Sequence, residues 1–173
     1  MAGGSGQGER GGGGGDFACR LGDLGSEADA AAVVASTAAY ALDPCSGRGP
    51  RAAPLPPETL EALVPAMRRH GNVFVVLAVG EGAAEGSLGH ATCVLSFSTY
   101  AAAPVLNVHD VFVRAEHRCK GVGRALLEVA MAEGRRRGAR KATLEVLNDN
   151  AVAEALYRKV GFEFGMKFGE RAL

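Results

Sequence analysis

Residues 105–123, VLNVHDVFVRAEHRCKGVG, constrain the fold more than any other part of this chain. An apolar, β-branched run ends near Arg114, and a short polar loop follows. Arg118-Cys119-Lys120-Gly121-Val122-Gly123 then opens into Arg124-Ala125-Leu126-Leu127, the start of a helical pattern. The order is strand, glycine loop, helix N-terminus. Glycine lets the backbone turn tightly and approach a ligand closely. The first N–H groups of a helix lack intrahelical partners and, with the helix dipole, favour anions. Arg118, Lys120 and Arg124 bring positive charge to the same place. The loop is not a P-loop, since Arg124-Ala125 follows the last glycine. It is not the dinucleotide fingerprint either, since Leu126 stands where the third glycine would be. Taken alone, it reads more simply as a tight βα turn with a solvated basic rim.

The downstream sequence changes that balance. Residues 144–150, LEVLNDN, form a second strand running into a helix start. Residues 151–159 carry Tyr157, and Gly161-Phe162 closes the segment. Arg118-x-x-Gly121-x-Gly123, Asn150-x-x-Ala153-x-x-x-Tyr157 and Gly161-Phe162, in that order, resemble the GNAT superfamily of N-acetyltransferases. The resemblance covers roughly residues 88–165, about half the chain. Phe97-Ser98-Thr99-Tyr100, followed by Pro104 and His109-Asp110, is similar to the histone/polyamine and small-amine branch.

The resemblance implies an α/β fold with a central mixed, mostly antiparallel sheet of about six to seven strands and about four flanking helices. It implies acetyl-CoA as cosubstrate and no metal. The pyrophosphate would lie on Arg118, Cys119, Lys120, Gly121, Val122, Gly123 and Arg124. The backbone of Val111, Phe112 and Val113 would pair with the pantetheine arm where the strand splays at a bulge, one N–H polarising the acetyl carbonyl. Asn150 would bond the pantetheine, and Tyr157 would sit near the thioester sulfur.

Acetyl transfer to an amine needs a neutral nucleophile, a stabilised carbonyl oxygen and a stabilised leaving thiolate. For the thiolate the candidate is Tyr157, a phenol of ordinary pKa about 10. Its plainer reading is a half-buried aromatic at a helix end. The base has two equal candidates. His109 matches the position where related polyamine acetyltransferases carry a glutamate proposed as base, and its pKa range suits proton removal near neutrality. Glu145, twelve residues before Tyr157, resembles the glutamate–tyrosine spacing of ribosomal-protein N-terminal acetyltransferases. Asp110 stands behind them, orienting His109 or a water. The structural alternatives are a satisfied core hydrogen bond for His109 or Asp110 and an ion pair for Glu145. Simple alternation places Asn107, His109, Val111 and Val113 on one strand face, and Val108, Asp110 and Phe112 on the other. His70, His90 and His117 read as surface or loop residues.

Net charge is zero, so no global field argues for nucleic acid or a membrane. Charge is uneven: residues 114–141 hold nine Arg/Lys against three Glu, which suits an anionic cofactor. Arg135-Arg136-Arg137 better fits a helix C-terminus, where cations are favoured. Cys19, Cys45, Cys93 and Cys119 show no zinc spacing and read as free thiols of a reducing compartment. With no membrane-length apolar run, the expected location is cytoplasmic, with the nucleus open. Expected partners are a small-molecule or peptide amine; a homodimer is compatible.

Along the chain, the glycine-rich residues 1–15 cannot offset their ordering entropy and read as a disordered tail. Residues 16–173 read as one domain. Its expected elements are a strand over 17–21, a helix over 30–40 capped by Ser26, and a loop with five prolines over 43–57. A helix over 58–69 must kink or restart at Pro65. Strands are expected over 72–79, 88–97, 105–114, 141–147 and 162–168. Helices are expected over 122–137 and 151–159. Val152, Leu156 and Val160 would form the buried stripe of the last helix.

Overall fold

The computed structural model describes residues 17–46, 52–81, 83 and 86–165. Its strands are β1 (Phe17–Leu21), β2 (Val73–Gly80), β3 (Gly89–Ser98), β4 (Ala103–Val113) and β5 (Ala142–Leu144). Its helices are α1 (Glu27–Leu42), α2 (Pro57–His70), α3 (Val122–Arg136) and α4 (Ala151–Lys159). The sheet runs in the order β1-β2-β3-β4-β5. The first three pairings are antiparallel and β4–β5 is parallel.

Local chemistry accounts for most element ends. Ser26 caps α1 by accepting from the Asp29 N–H, and Asn150 caps α4 by accepting from the Ala153 N–H at 3.1 Å. α2 starts with Pro57 in its first turn, where the missing N–H costs nothing, and ends on Gly71 in the left-handed conformation. It runs through Pro65 without a break. Arg136 and Arg137 both bond the buried Glu133 at the end of α3, as the cation run at a helix C-terminus suggests. Those bonds hold the Glu133 carboxyl down to about 2 against the opposing effect of burial.

Among the described residues the sheet has five strands, where the resemblance implies about six to seven. The expected strand over 141–147 pairs only at Ala142–Leu144. Residues 162–165 are not a strand, and 166–168 lie outside the described residues. The tail over 1–15 lies outside them too. Among the described residues no helix is long and apolar enough to cross a membrane.

The sheet separates two cores. One face packs Cys93, Leu106 and Val108 against Leu126, Leu127 and Ala130 of α3 and Tyr157 of α4. The other packs Val75 and Leu77 against Ala32 and Val33 of α1 and Val64 of α2. The register slips between Thr92 and Cys93: Cys93 faces Val108, Thr92 faces Asp110, and His109 is the extra residue of a bulge. This corrects the alternation expected for β4. Val108, Val111 and Val113 all join the α3–α4 core. Asp110 and Phe112 share the opposite face with their ladder partners Thr92 and His90.

His90 corrects a second expectation. It lies in β3, fully buried, with Nδ1 2.6 Å from Ser36 Oγ. Burial holds its imidazole down to about 4, against 6.5 for an ordinary histidine. The unfolded chain therefore takes up a proton that the folded chain refuses until about pH 4. The His90 contribution to stability is full above pH 6.5 and is lost as pH falls from 6.5 toward 4, to an extent of about 3 kcal/mol. Urea midpoints measured across that window are expected to fall with pH. The fall should flatten in His90→Asn, and an equal slope in both proteins would contradict this assignment. Glu133 adds its own loss lower down, between 4.5 and about 2. Asp110, whose carboxyl is raised by burial, acts in the opposite sense.

Candidate functional site

The pairing of β4 with β5 stops at Val108–Leu144. Beyond that point β4 keeps its antiparallel partner β3 as far as Val113, while residues 145–147 leave the sheet. The two chains splay like a V whose closed end is held by the Asn107 Nδ2 bond to Thr143 Oγ1, 3.2 Å. A cavity of about 420 Å³ opens in the V. Val111, Phe112 and Val113 line one side, and Glu145, Val146 and Leu147 the other. One edge of β4 therefore carries backbone N–H and C=O groups unclaimed by a ladder, which can pair with an extended ligand.

The glycine loop borders this cavity. Gly121 is the N-cap of α3 with φ +86°, a conformation open to glycine at little cost. Val122, Gly123 and Arg124 are the first residues of the helix, so their N–H groups have no intrahelical partner. Cys119 adopts φ +60°, unusual for a residue with a side chain. The Cβ of any other residue at Gly123 would sit 3.1 Å from Leu156, so this glycine also sets how closely α3 and α4 approach.

Nine of the residues expected at the site line the cavity: Val111, Phe112, Val113, Arg118, Cys119, Gly123, Glu145, Asn150 and Tyr157. Lys120, Gly121 and Arg124 are exposed beside it, and Val122 is buried, leaving only its backbone to a ligand. Arg124 pairs with Glu128 at 2.7 Å. Arg118 bonds the Val113 carbonyl at 2.9 Å and the Asp43 carboxylate. Asn150 donates to the Cys45 carbonyl at 3.2 Å while it caps α4. Thus two of the side chains expected to hold the cofactor, Arg118 and Asn150, also grip the segment that follows α1.

Tyr157 is 7% exposed and stacks edge-on with Phe162, ring centroids 6.2 Å apart. Burial, then the nearby Tyr40 and Asp110 charges, push its phenol up to about 12. It stays protonated at neutral pH and so keeps an O–H that can donate a hydrogen bond. His109 is exposed at the bulge and does not line the cavity. Glu145 is exposed at the cavity wall. Asp110 is partly buried; burial raises its carboxyl, opposed by His109 and by the Thr92 hydroxyl across the ladder.

The sequence reading missed part of the wall. Tyr40, Asp43 and Cys45 reach it from the end of α1, and Val152, Ala153 and Leu156 from α4. Val152, expected in the buried stripe of α4, is 77% exposed and lines the cavity mouth instead. An apolar residue two places after a helix cap was the available signal. Nothing local marked Tyr40. The four described cysteines are free, and among the described residues no cluster of His, Cys, Asp and Glu is arranged to hold a metal ion.

A 59-residue stretch is 46% identical to streptothricin acetyltransferase of Streptomyces lavendulae, covering 34% of this chain and 31% of that protein. Another, of 66 residues, is 38% identical to N-alpha-acetyltransferase 40 of Saccharomyces cerevisiae, covering 34% of this chain and 23% of that one. The matches thus span a third or less of these relatives' lengths. An aminoglycoside acetyltransferase from an uncultured soil metagenomic sample shares the fold. The TM-score is 0.72 and the identity 14%, over 91% of this chain and 96% of that one. The family described as Acetyltransferase (GNAT) matches residues 39–162. With that match spanning most of the chain and taking in the splayed strands, the glycine loop and the capped α4, this protein belongs to the GNAT acetyltransferase family.

Proposed function

We propose that this chain is an acetyl-CoA-dependent N-acetyltransferase that moves the acetyl group directly to a primary amine in a ternary complex. A small amine or polyamine is the favoured acceptor. The observation that carries the reading is the V between β4 and residues 145–147, opening beside the free N–H groups of α3 with Tyr157 in its wall. The residues present fit the cofactor. Lys120, Arg124 and the N–H groups of residues 122–124 suit a pyrophosphate, and the unpaired β4 edge suits an amide-bearing arm. Bound acetyl-CoA supplies an activated thioester; the chain supplies the rest.

A β4 N–H among residues 111–113 polarises the acyl oxygen. Tyr157 donates to the departing sulfur. Asp110, which like His109 does not itself line the cavity, takes the proton of the attacking amine through a water: its raised carboxyl, within electrostatic reach of Tyr157, is a stronger base than an ordinary aspartate. Glu145, on the open wall, draws the cationic amine in. Asp110→Asn should then remove the acidic limb of kcat/KM. Glu145→Gln should keep that limb and raise the acceptor KM. The reverse pattern would make Glu145 the base, and loss of the limb in His109→Gln would make it His109.

A second reading is transfer to a protein N-terminus or lysine; the match to N-alpha-acetyltransferase 40 supports its N-terminal form. Comparing kcat/KM for spermidine with that for a short peptide bearing a free N-terminus separates the two. The small-amine reading expects spermidine to lead by at least about tenfold, a 1.4 kcal/mol preference. A lead for the peptide overturns it.

A further inference from the structure

α1 meets the sheet on two unlike surfaces. Over β2 the contact is apolar, Ala32 and Val33 on Val75 and Leu77. Over β3 and β4 it is polar and aromatic. Ser36, fully buried, places Oγ 2.6 Å from His90 Nδ1. One turn along α1, Tyr40 stands edge-on to His90, with ring centroids 6.2 Å apart and planes at 82°. Tyr40 also lies tilted on Phe112 at 5.7 Å, and His90 on Phe112 at 6.0 Å. Three rings therefore make a closed triangle. Tyr40 and Phe112 line the cavity; His90 stands behind them, out of it. Its Nε2 is buried and has no hydrogen-bond partner among the described residues.

A buried serine–imidazole pair is a costly way to fill space, since apolar groups of the same shape would avoid the desolvation of both. What such a pair adds is direction: the bond to Nδ1 fixes the plane of the imidazole. That plane in turn decides where the Tyr40 and Phe112 rings rest. Asp110 flanks Phe112 on the same strand face, two residues away, behind the lining rather than in it, so that it acts on the cavity through its charge. Two ring faces beside a carboxylate make a surface that attracts the cationic chain of an amine.

We propose that Ser36 and His90 form a positioning pair that sets acceptor selectivity by fixing the Tyr40–Phe112 wall, against which an alkyl amine lays its chain with its cationic end toward Asp110. This rests on reading the cavity as the transferase site. His90 itself touches neither substrate.

The test uses the full chain with spermidine, lysine and phenethylamine as acceptors. Ser36→Ala removes one oxygen and little volume. It is expected to raise the KM of the best acceptor roughly five- to tenfold, the scale of one lost buried hydrogen bond. The Kd for acetyl-CoA should stay within about twofold, and the ranking of the three acceptors should compress. His90→Asn keeps a polar atom near the Nδ1 position and His90→Gln one near the Nε2 position, so Asn should retain more of the acceptor preference than Gln. If either histidine variant fails to fold, Ser36→Ala still decides. An acceptor KM unmoved in Ser36→Ala, or an acetyl-CoA Kd that rises in step with it, makes the pair merely structural and overturns the proposal. Better retention by Gln than by Asn would mean that Nε2 is the working atom, which overturns it too. Absence of any amine-dependent turnover by the wild type would instead sink the transferase reading itself.

Discussion

Replacing Tyr157 with phenylalanine is expected to lower kcat by roughly a hundred- to ten-thousand-fold, the usual worth of a positioned proton donor. The Kd for acetyl-CoA should stay within about twofold, because the lost interaction strengthens only in the transition state. The substitution removes one oxygen. The ring still packs edge-on with Phe162, and α4 is still capped by Asn150. A free phenol near pH 10 would place an alkaline limb in the rate profile. The buried one, pushed up to about 12, stays protonated through the accessible alkaline range. The ratio of mutant to wild-type kcat should therefore be flat with pH. Retention of more than about half the rate, with chemistry limiting turnover, would make Tyr157 a packing residue.

Gly89→Ala is expected to be the most damaging alanine substitution among the described glycines. A Cβ at Gly89 would lie 2.2 Å from the Phe112 carbonyl oxygen and 3.0 Å from Val113 Cα. Both are backbone atoms of β4, so no side-chain rotation relieves the overlap. β4 must shift, and it carries Val111, Phe112 and Val113 along the cavity wall. A cost of at least about 3 kcal/mol is expected, beyond the ordinary overpacking range. For a chain of this size that lowers Tm by roughly 6–12 °C. Affinity for acetyl-CoA should fall with it. Gly121 makes the contrast: a Cβ there would meet nothing within 4 Å, and the cost is only that of its positive φ, about 1 kcal/mol. Thermal melts of the two alanine variants check the ranking, and equal losses would contradict it.

The sequence was legible wherever structure is written in neighbouring residues. Ser26 and Asn150 announce the starts of α1 and α4 because a capping side chain reaches only its own helix. The run from Val105 to Gly123 announces a strand, a turn and a helix because its periodicity changes there. Much of the cavity wall was legible for the same reason, since β4, the loop and α4 each carry a local motif. What could not be read depends on partners distant in sequence. His90 is buried because Ser36, 54 residues earlier, and Phe112 close over it. Asp43 joins the site through Arg118, 75 residues later, and Cys45 through Asn150, 105 residues later. The bulge at His109 exists only in the register between β3 and β4. One extra residue there sends Asp110 away from Val108 and exposes the histidine that simple alternation had placed beside Val111 and Val113.

The central claim is that the V between β4 and residues 145–147 holds acetyl-CoA and delivers its acetyl group to an amine. The most direct measurement is the release of free CoA thiol from acetyl-CoA by the full chain, across polyamines, amino acids, arylalkylamines and peptides, alongside calorimetric titration of acetyl-CoA. The account predicts saturable acetyl-CoA binding and release that depends on at least one amine, with one acetylated product per thiol. Binding without amine-dependent release for any member of the panel, or no binding at all, would contradict it.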